Sequence, residues 1–171
     1  MNQTPELSPS TLAGLPPLPS DARVAIVAAS WHKDIVGRAT ASLRDELQRQ
    51  GLAADRIEQF DVPGAFEIPL HAKKLARSGR YTAIVACGLV VDGGIYRHDF
   101  VASAVIDGLM RVQLDFDVPV FSAVLTPKDF HEHEVHHQFF SEHFVKKGVE
   151  AAHACLRTMA SLHALAAGRY A

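Results

Sequence analysis

Four short segments with the composition of buried strands recur along the chain, and each is followed by a longer segment with helical spacing. They span residues 22–30, 57–62, 81–91 and 119–126. Three of them are mostly apolar runs with several valine, isoleucine or alanine residues, whereas residues 57–62 (IEQFDV) mix apolar and polar residues. Continuous apolar runs of this length are typical of strands that are buried on both faces, as in a parallel sheet. The pattern therefore predicts four parallel strands.

The segments after these strands carry apolar residues at every third or fourth position, which predicts helices over residues 34–50, 65–78, 98–115 and 135–166. In the first of them, four apolar side chains share one face: Ile35, Ala39, Leu43 and Leu47. Strands that alternate with helices predict an α/β fold. We expect a three-layer αβα sandwich with a flavodoxin-like, four-stranded parallel sheet.

A chain of 171 residues is expected to form one domain and can bury a sizeable core. Residues 1–21 hold five of the nine prolines and show little periodicity. They are predicted to form an extended or disordered N-terminal arm, which could also pack along a neighbouring subunit. Residues 22–171 are predicted to form the single domain.

Charge and cysteine content narrow the class of protein. A net charge of −2 argues against nucleic acid as the main partner. No apolar run approaches the ~20 residues of a membrane span, and no signal peptide is apparent, so no membrane partner is expected. Cys87 and Cys155 lack CxxC spacing and lie in apolar surroundings. They are interpreted as reduced core residues, and a cytoplasmic location is expected.

The third strand runs into two glycines, Gly93 and Gly94, and a helical pattern resumes at His98. Such strand-to-helix turns place ligands at the carboxyl ends of parallel strands. Backbone N–H groups of adjacent glycines converge on an anion, and the helix that follows adds its positive end. With Arg97 beside it, the turn is interpreted as a phosphate site next to a proton-transferring histidine. The alternative is a glycine turn with a solvated Arg-His pair.

Two other strand ends carry aromatic residues that would meet at the same edge of the sheet. Trp31 follows the first strand, and Phe66 follows the second. Together they could sandwich a planar ring, although either could also pack in the core. Glu67 could hold a polyol hydroxyl or merely cap a helix.

In these blocks the chain resembles the 6,7-dimethyl-8-ribityllumazine synthase family, which acts at the penultimate step of riboflavin biosynthesis. The matching blocks occur in the family's order over about residues 22–160: the strand ending in Trp31, residues 64–69 (GAFEIP), residues 88–101 with His98, residues 119–126, and Lys147-Gly148. The resemblance implies condensation of 5-amino-6-(D-ribitylamino)uracil with 3,4-dihydroxy-2-butanone 4-phosphate, with release of phosphate and water. It implies no cofactor and no metal. It also implies a homo-oligomer, either a pentamer or a dimer of pentamers, with sites shared between subunits.

The resemblance also assigns roles to residues. His98 matches the general acid/base, and Trp31 replaces the aromatic residue that stacks on the pyrimidine. The remaining substrate-binding positions are Ala65, Phe66 and Glu67 at the ring and ribityl chain, Val90 and Val91 in the pocket wall, and Phe121 and Lys147 from the neighbouring subunit. The phosphate-binding positions are Gly93, Gly94, Ile95 and Arg97.

The phosphate region departs from the common family pattern. The turn here lacks the usual threonine hydroxyl and is one residue longer. Phe139 stands where the family has a phosphate-binding arginine, so Arg97 or His137 is expected to replace it. His32 stands where an asparagine is usual. These departures resemble the second-type branch of the family, which tends toward decamers.

Two other classes of function remain open at this point. Residues 133–137 fit the zinc pattern H-E-x-x-H, with His133 and His137 as ligands and Glu134 as base, and His131 and His143 lie nearby. A solvated, histidine-rich helix start is the plainer interpretation, because the pattern straddles a predicted loop-to-helix boundary. A non-catalytic flavin or lumazine binder on the same scaffold is the second class, because a fold does not fix a function.

Overall fold

The structure is a computed structural model that describes residues 14–92, 97–127 and 134–168, with side chains from residue 140 in the last range. The strands are Val24–Ala29 (β1), Ile57–Val62 (β2), Ala83–Leu89 (β3) and Val120–Leu125 (β4). The helices are Lys33–Arg49 (α1), Ile68–Arg77 (α2), His98–Phe116 (α3) and Glu134–Ala166 (α4).

The four strands form one parallel sheet in the order β2-β1-β3-β4. Ala29 lies opposite Val62, and Leu89 lies opposite Leu125, so the strands end at a common edge. This edge is called the carboxyl rim below. The predicted α/β fold with its parallel sheet is confirmed.

Alternating residues of β1 enter two separate cores. Val24, Ile26 and Ala28 face a core built with α1 and α4. Ala25, Val27 and Ala29 face a core built with α2 and α3. All six residues of β1 are buried, which explains why the strand lacks polar alternation. The sheet is thus the middle layer of an αβα sandwich, as predicted.

The second predicted helix begins differently from the expectation. Residues Ala65–Glu67 form a single 3₁₀ turn, and the α-helix starts at Ile68. Pro69 lies in the first turn of α2, where its missing N–H costs no hydrogen bond. The short turn therefore stands between the rim and α2 as a separate element.

Helices α1 and α4 approach each other closely at Gly148. A Cβ at this position would overlap Ser42 Oγ and the carbonyl oxygen of Ala39, and it would lie 2.9 Å from the Leu43 nitrogen. Gly148 thus lets the two backbones pack without an intervening side chain.

A buried polar pair joins the same two helices further from the rim. His153 Nε2 on α4 lies 2.7 Å from Glu46 Oε1 on α1, and both side chains are buried. Gln50 donates to the same oxygen at 2.8 Å, while Arg49 pairs with the other oxygen. Because these partners hydrogen-bond the carboxylate, its charge can persist inside the helix layer.

The order of these contacts shows that α4 runs in the same direction as α1. Gly148 meets the middle of α1, and His153 meets Glu46 near its end. Further along, Met159 lies beside Thr82, which precedes β3 at the opposite edge of the sheet. In the described part of the chain, none of the helices combines the length and the apolar character that crossing a membrane requires.

Candidate active site

The end of β1 projects Trp31 from the carboxyl rim. Ser30 N donates to Val62 O at 2.8 Å, which extends the β1–β2 pairing by one residue. His32 then adopts a left-handed conformation with φ of 52°, and its carbonyl accepts from the first turn of α1. This sharp bend leaves the Trp31 side chain 68% exposed.

Gly64 follows β2, and both the Trp31 ring and the Glu67 carboxylate lie close to it. A Cβ on Gly64 would lie 3.9 Å from two Trp31 ring atoms and 3.2 Å from Glu67 Oε2. The carboxylate also accepts a hydrogen bond from Gly64 N at 2.9 Å. Glu67 therefore does act as a local cap. Since a carboxylate has about four acceptor positions and Glu67 is exposed, it retains capacity for a ligand hydroxyl.

The 3₁₀ turn Ala65–Glu67 is held by its neighbours and carries Phe66 into solvent. Ala65 is buried, and its Cβ lies 3.6 Å from the Cβ position of Gly88 on β3. The turn also contacts β1 and α3. Phe66 is 64% exposed beside the same rim. Within the part of the chain that the structure describes, both aromatic side chains at the rim are therefore mostly exposed.

The end of β3 leads to His98 at the first position of α3. Val90 is buried and donates through its N–H to Leu125 O at 2.9 Å, whereas Val91 is half-buried. His98 Nδ1 lies 3.9 Å from Asp92 Oδ1. Three proposed phosphate residues of this turn, Gly93, Gly94 and Ile95, lie outside the described residues.

Arg97 precedes α3 and already has two partners. Its Nη2 donates to Asp99 Oδ2 at 2.9 Å, and its guanidinium lies 4.3 Å from the centre of the Phe100 ring. The hydrogen bond from Arg97 lowers the pKa of Asp99 below its usual range. A phosphate at Arg97 would have to share the guanidinium with Asp99 or displace it.

Phe121 does not join the rim of its own chain. It is the second residue of β4, pairs with Val85, and packs against the core on the α1/α4 side. With four further residues before the strand ends, Phe121 lies about 13 Å below the rim. A role for it at a rim site would require a second copy of the chain.

Lys147 also lies away from the rim residues. Its Nζ donates to Glu150 Oε2 at 2.7 Å, and the neighbouring Gly148 packs on the middle of α1. Helix α1 begins with Lys33 at the rim. Ala39, which Gly148 contacts, therefore lies about 9 Å below the rim. Residues Glu134–Lys147 of α4 span about 20 Å, so the start of α4 projects past the rim by about 10 Å.

A hollow beside the end of β1 is too small for a heterocyclic substrate. Its volume is about 30 Å³, enough for one or two water molecules. Its lining residues are Ala28, Ala29, Ser30, Lys33, Val36, Gly37, Thr40, Gln59 and Asp61. Substrate sites usually bury most of their ligand, and a hollow of this size cannot do so for a heterocycle.

The zinc pattern at residues 133–137 falls outside the described side chains. His131 and His133 lie outside the described residues, and Glu134 and His137 lie in the first turns of α4, where side chains are not described. Among the side chains that are described, no group of three or more metal-ligating residues occurs. Burial and the charge of Lys147 lower the pKa of His143.

Three residues near the site were missed from the sequence: Asp92, Asp99 and Phe100. Asp92 closes the strand before the glycine turn, and the other two follow His98 directly. Their proximity along the chain was a usable signal. The contact between Asp92 and His98 could not be predicted in this way, because it depends on how α3 returns to the rim.

An open parallel sheet whose carboxyl rim carries aromatic residues, a carboxylate and a histidine defines an α/β enzyme that binds a small molecule at its strand ends. The family model for 6,7-dimethyl-8-ribityllumazine synthase matches residues 21–163. The chain therefore belongs to the 6,7-dimethyl-8-ribityllumazine synthase family. It is accordingly a transferase of riboflavin biosynthesis, and neither rival class finds support.

Relatives match over most of their length. A 6,7-dimethyl-8-ribityllumazine synthase of Rhodococcus erythropolis is 64% identical over 143 residues, covering 84% of this chain and 92% of the relative. A "synthase 2" of Bradyrhizobium diazoefficiens is 58% identical, covering 84% of this chain and 86% of the relative. A "synthase 2" of Pseudomonas syringae pv. tomato is 54% identical, covering 84% of each. The resemblance to the second-type branch is confirmed.

Proposed function

We propose that this chain condenses 5-amino-6-(D-ribitylamino)uracil with 3,4-dihydroxy-2-butanone 4-phosphate at the carboxyl rim, in the cytoplasm. The observation that carries the proposed site is the meeting of the Trp31 ring and the Glu67 carboxylate at Gly64, beside the strand end that leads to His98. A flat heterocycle and its polyol tail need such a pair of contacts.

The pyrimidine stacks on Trp31, with Phe66 on the adjoining turn as its second aromatic contact. Glu67 receives hydroxyl groups of the ribityl chain through the acceptor positions that its cap leaves open. Ala65, Val90 and Val91 form the wall between the aromatic residues and β3. The apolar wall excludes water, so the polar contacts determine orientation.

His98 transfers protons as the amine of one substrate attacks the ketone of the other, phosphate leaves, and the ring closes with loss of water. Positioning two reactants can lower a barrier by about 7–11 kcal/mol, whereas a general acid/base contributes roughly 10²–10⁴-fold. We therefore expect His98→Ala to slow turnover without abolishing it.

The phosphate is held by the turn of Gly93, Gly94 and Ile95, with Arg97 in place of the family's arginine. A guanidinium presents two parallel donors that match phosphate oxygens. In the described conformation Arg97 donates to Asp99, so phosphate binding includes an exchange of partners.

The site is completed in a homo-oligomer, a pentamer or a dimer of pentamers, in which Phe121 and Lys147 reach the site of the next subunit. Three features of one chain support this. Its aromatic rim is open, α4 projects past the rim, and α2 and α3 expose an apolar face made of Leu70, Phe100, Ile106, Met110 and Leu114. An exposed apolar face of this kind is typical of a subunit interface.

We further propose that residues 1–21 are an extended arm and that residues 22–171 form the single domain. Leu18 packs against the core on the α1/α4 side, so the described end of the arm follows the domain surface. The preceding residues could continue onto a neighbouring subunit.

The proposal is tested by incubating the protein with both substrates and following lumazine fluorescence. Trp31→Ala should raise KM for the pyrimidine substrate, and His98→Ala should lower kcat by roughly 10²-fold or more. His163→Ala is the matched control, since His163 lies in the last turn of α4, far from the rim. Binding of ribityl compounds without lumazine formation would instead identify a non-catalytic binder.

A further inference from the structure

The end of β3 and the start of α3 bring a carboxylate and an imidazole close together in space. Asp92 follows the central strand β3, which is paired on both sides, and His98 begins α3. The Nδ1 atom of His98 lies 3.9 Å from Asp92 Oδ1. Both residues are attached to buried elements, since β3 is fully buried and α3 is anchored by Val105 and Leu109.

The cation next to His98 in sequence, Arg97, has other described partners. Arg97 stands between the two residues in sequence, but its guanidinium donates to Asp99 and stacks on Phe100. The carboxylate that the structure places beside the Nδ1 atom of His98 is that of Asp92.

A carboxylate on Nδ1 has a definite chemical consequence. It favours the tautomer with the proton on Nδ1, which leaves the lone pair on Nε2 available to accept a proton. It also stabilises the imidazolium that forms when Nε2 accepts a proton. A separation of 3.9 Å is longer than a hydrogen bond, but such contacts often tighten only when substrate binds.

We propose that Asp92 is a positioning residue that fixes the orientation and tautomer of His98 during proton transfer. The inference rests on the proposed role of His98 as the general acid/base. Asp92 is not assigned any contact with substrate.

The test is a double-mutant cycle on kcat, measured by lumazine formation. In the otherwise unchanged enzyme, Asp92→Asn should lower kcat about 5–10-fold and change KM by less than about twofold, because an exposed ion pair is worth roughly 1 kcal/mol. Asp92→Glu should recover part of that loss. In the His98→Ala background, Asp92→Asn should cause no further loss, since its partner is absent.

Asp115→Asn is the matched control. Asp115 also lies 3.9 Å from a cation, Arg111, and its side chain is 54% exposed against 58% for Asp92. This control should leave kcat unchanged, and circular dichroism should show that every variant is folded.

The inference and the proposed function fail in different ways. If Asp92→Asn lowers kcat equally with and without His98, Asp92 acts through the fold, and the inference is wrong. If Asp92→Asn has no effect while His98→Ala is slow, the inference is wrong but the role of His98 stands. If His98→Ala turns over at the original rate, the inference and the proposed role of His98 are both wrong, but the synthase activity stands. If the unchanged enzyme forms no lumazine, the proposed function itself is wrong.

Discussion

Replacing Gly148 by alanine should separate α4 from α1 and destabilise the protein. The added methyl would overlap the Ala39 carbonyl oxygen and Ser42 Oγ, and it would lie 2.9 Å from the Leu43 nitrogen. A serine side chain can rotate away, but two of these three neighbours are backbone atoms of α1. The helices must therefore move apart, and part of the core between them loses contact.

The expected change in the free energy of unfolding follows from two opposing effects. Overpacking a well-packed contact costs about 1–3 kcal/mol, and contact with rigid backbone places this case at the upper end. Alanine gains about 1 kcal/mol over glycine inside a helix. The expected net loss is about 2 kcal/mol. For a chain of this size, Tm should fall by about 4–8 °C.

Gly37→Ala is the matched control, because it makes the same substitution inside α1 at a position where a Cβ would meet nothing within 4 Å. It should raise Tm by about 2–4 °C through helix propensity alone. Thermal and urea unfolding followed by circular dichroism, at one fixed protein concentration, measures both variants. Equal stability of the two variants would refute the packing argument. Ser42→Ala combined with Gly148→Ala should recover only part of the loss, since the Ala39 carbonyl remains.

Three further predictions concern buried groups and the rim. Burial opposes the charge of Glu46, but hydrogen bonds from Gln50 and His153 and the charge of Arg49 together lower its pKa below 4.5. The stabilisation that the charged Glu46 provides is therefore complete at neutral pH. It is lost as the pH falls from about 4.5 through the lowered pKa of Glu46. Glu46→Gln should cost roughly 1–3 kcal/mol at pH 7 and flatten this acid dependence in urea titrations. Burial raises the pKa of Cys87 to about 12 and also raises the pKa of Cys155. A thiol reagent at pH 8 should therefore modify neither cysteine before the protein unfolds. Rapid reaction in the native state would contradict their burial. Trp31, the single tryptophan, should change its fluorescence when ribityl compounds bind; unchanged emission at saturating ligand would argue against stacking.

The local pattern of the sequence was sufficient for the elements and the fold class. The apolar run of β1 predicts a strand buried on both faces, and the spacing of four from Ile35 predicts the buried side of α1; both are observed. Which residues of a helix or strand are buried repeats with the period of that element. The repeat involves residues close together in the chain, so it can be recognised in a single sequence. The start of α2 was less well predicted, because a 3₁₀ turn and a first helical turn have similar local sequences.

The sequence by itself established a parallel α/β sheet, its elements, and the strand ends that carry Trp31, Glu67 and His98. Only the tertiary structure decided which side chains meet: Trp31 with Gly64, Gly148 with the backbone of α1, and Asp92 with His98. Contacts between distant segments depend on strand order and helix packing, which no local periodicity encodes. For the same reason, only the structure shows that Phe121 lies within β4, opposite Val85, and not at the rim.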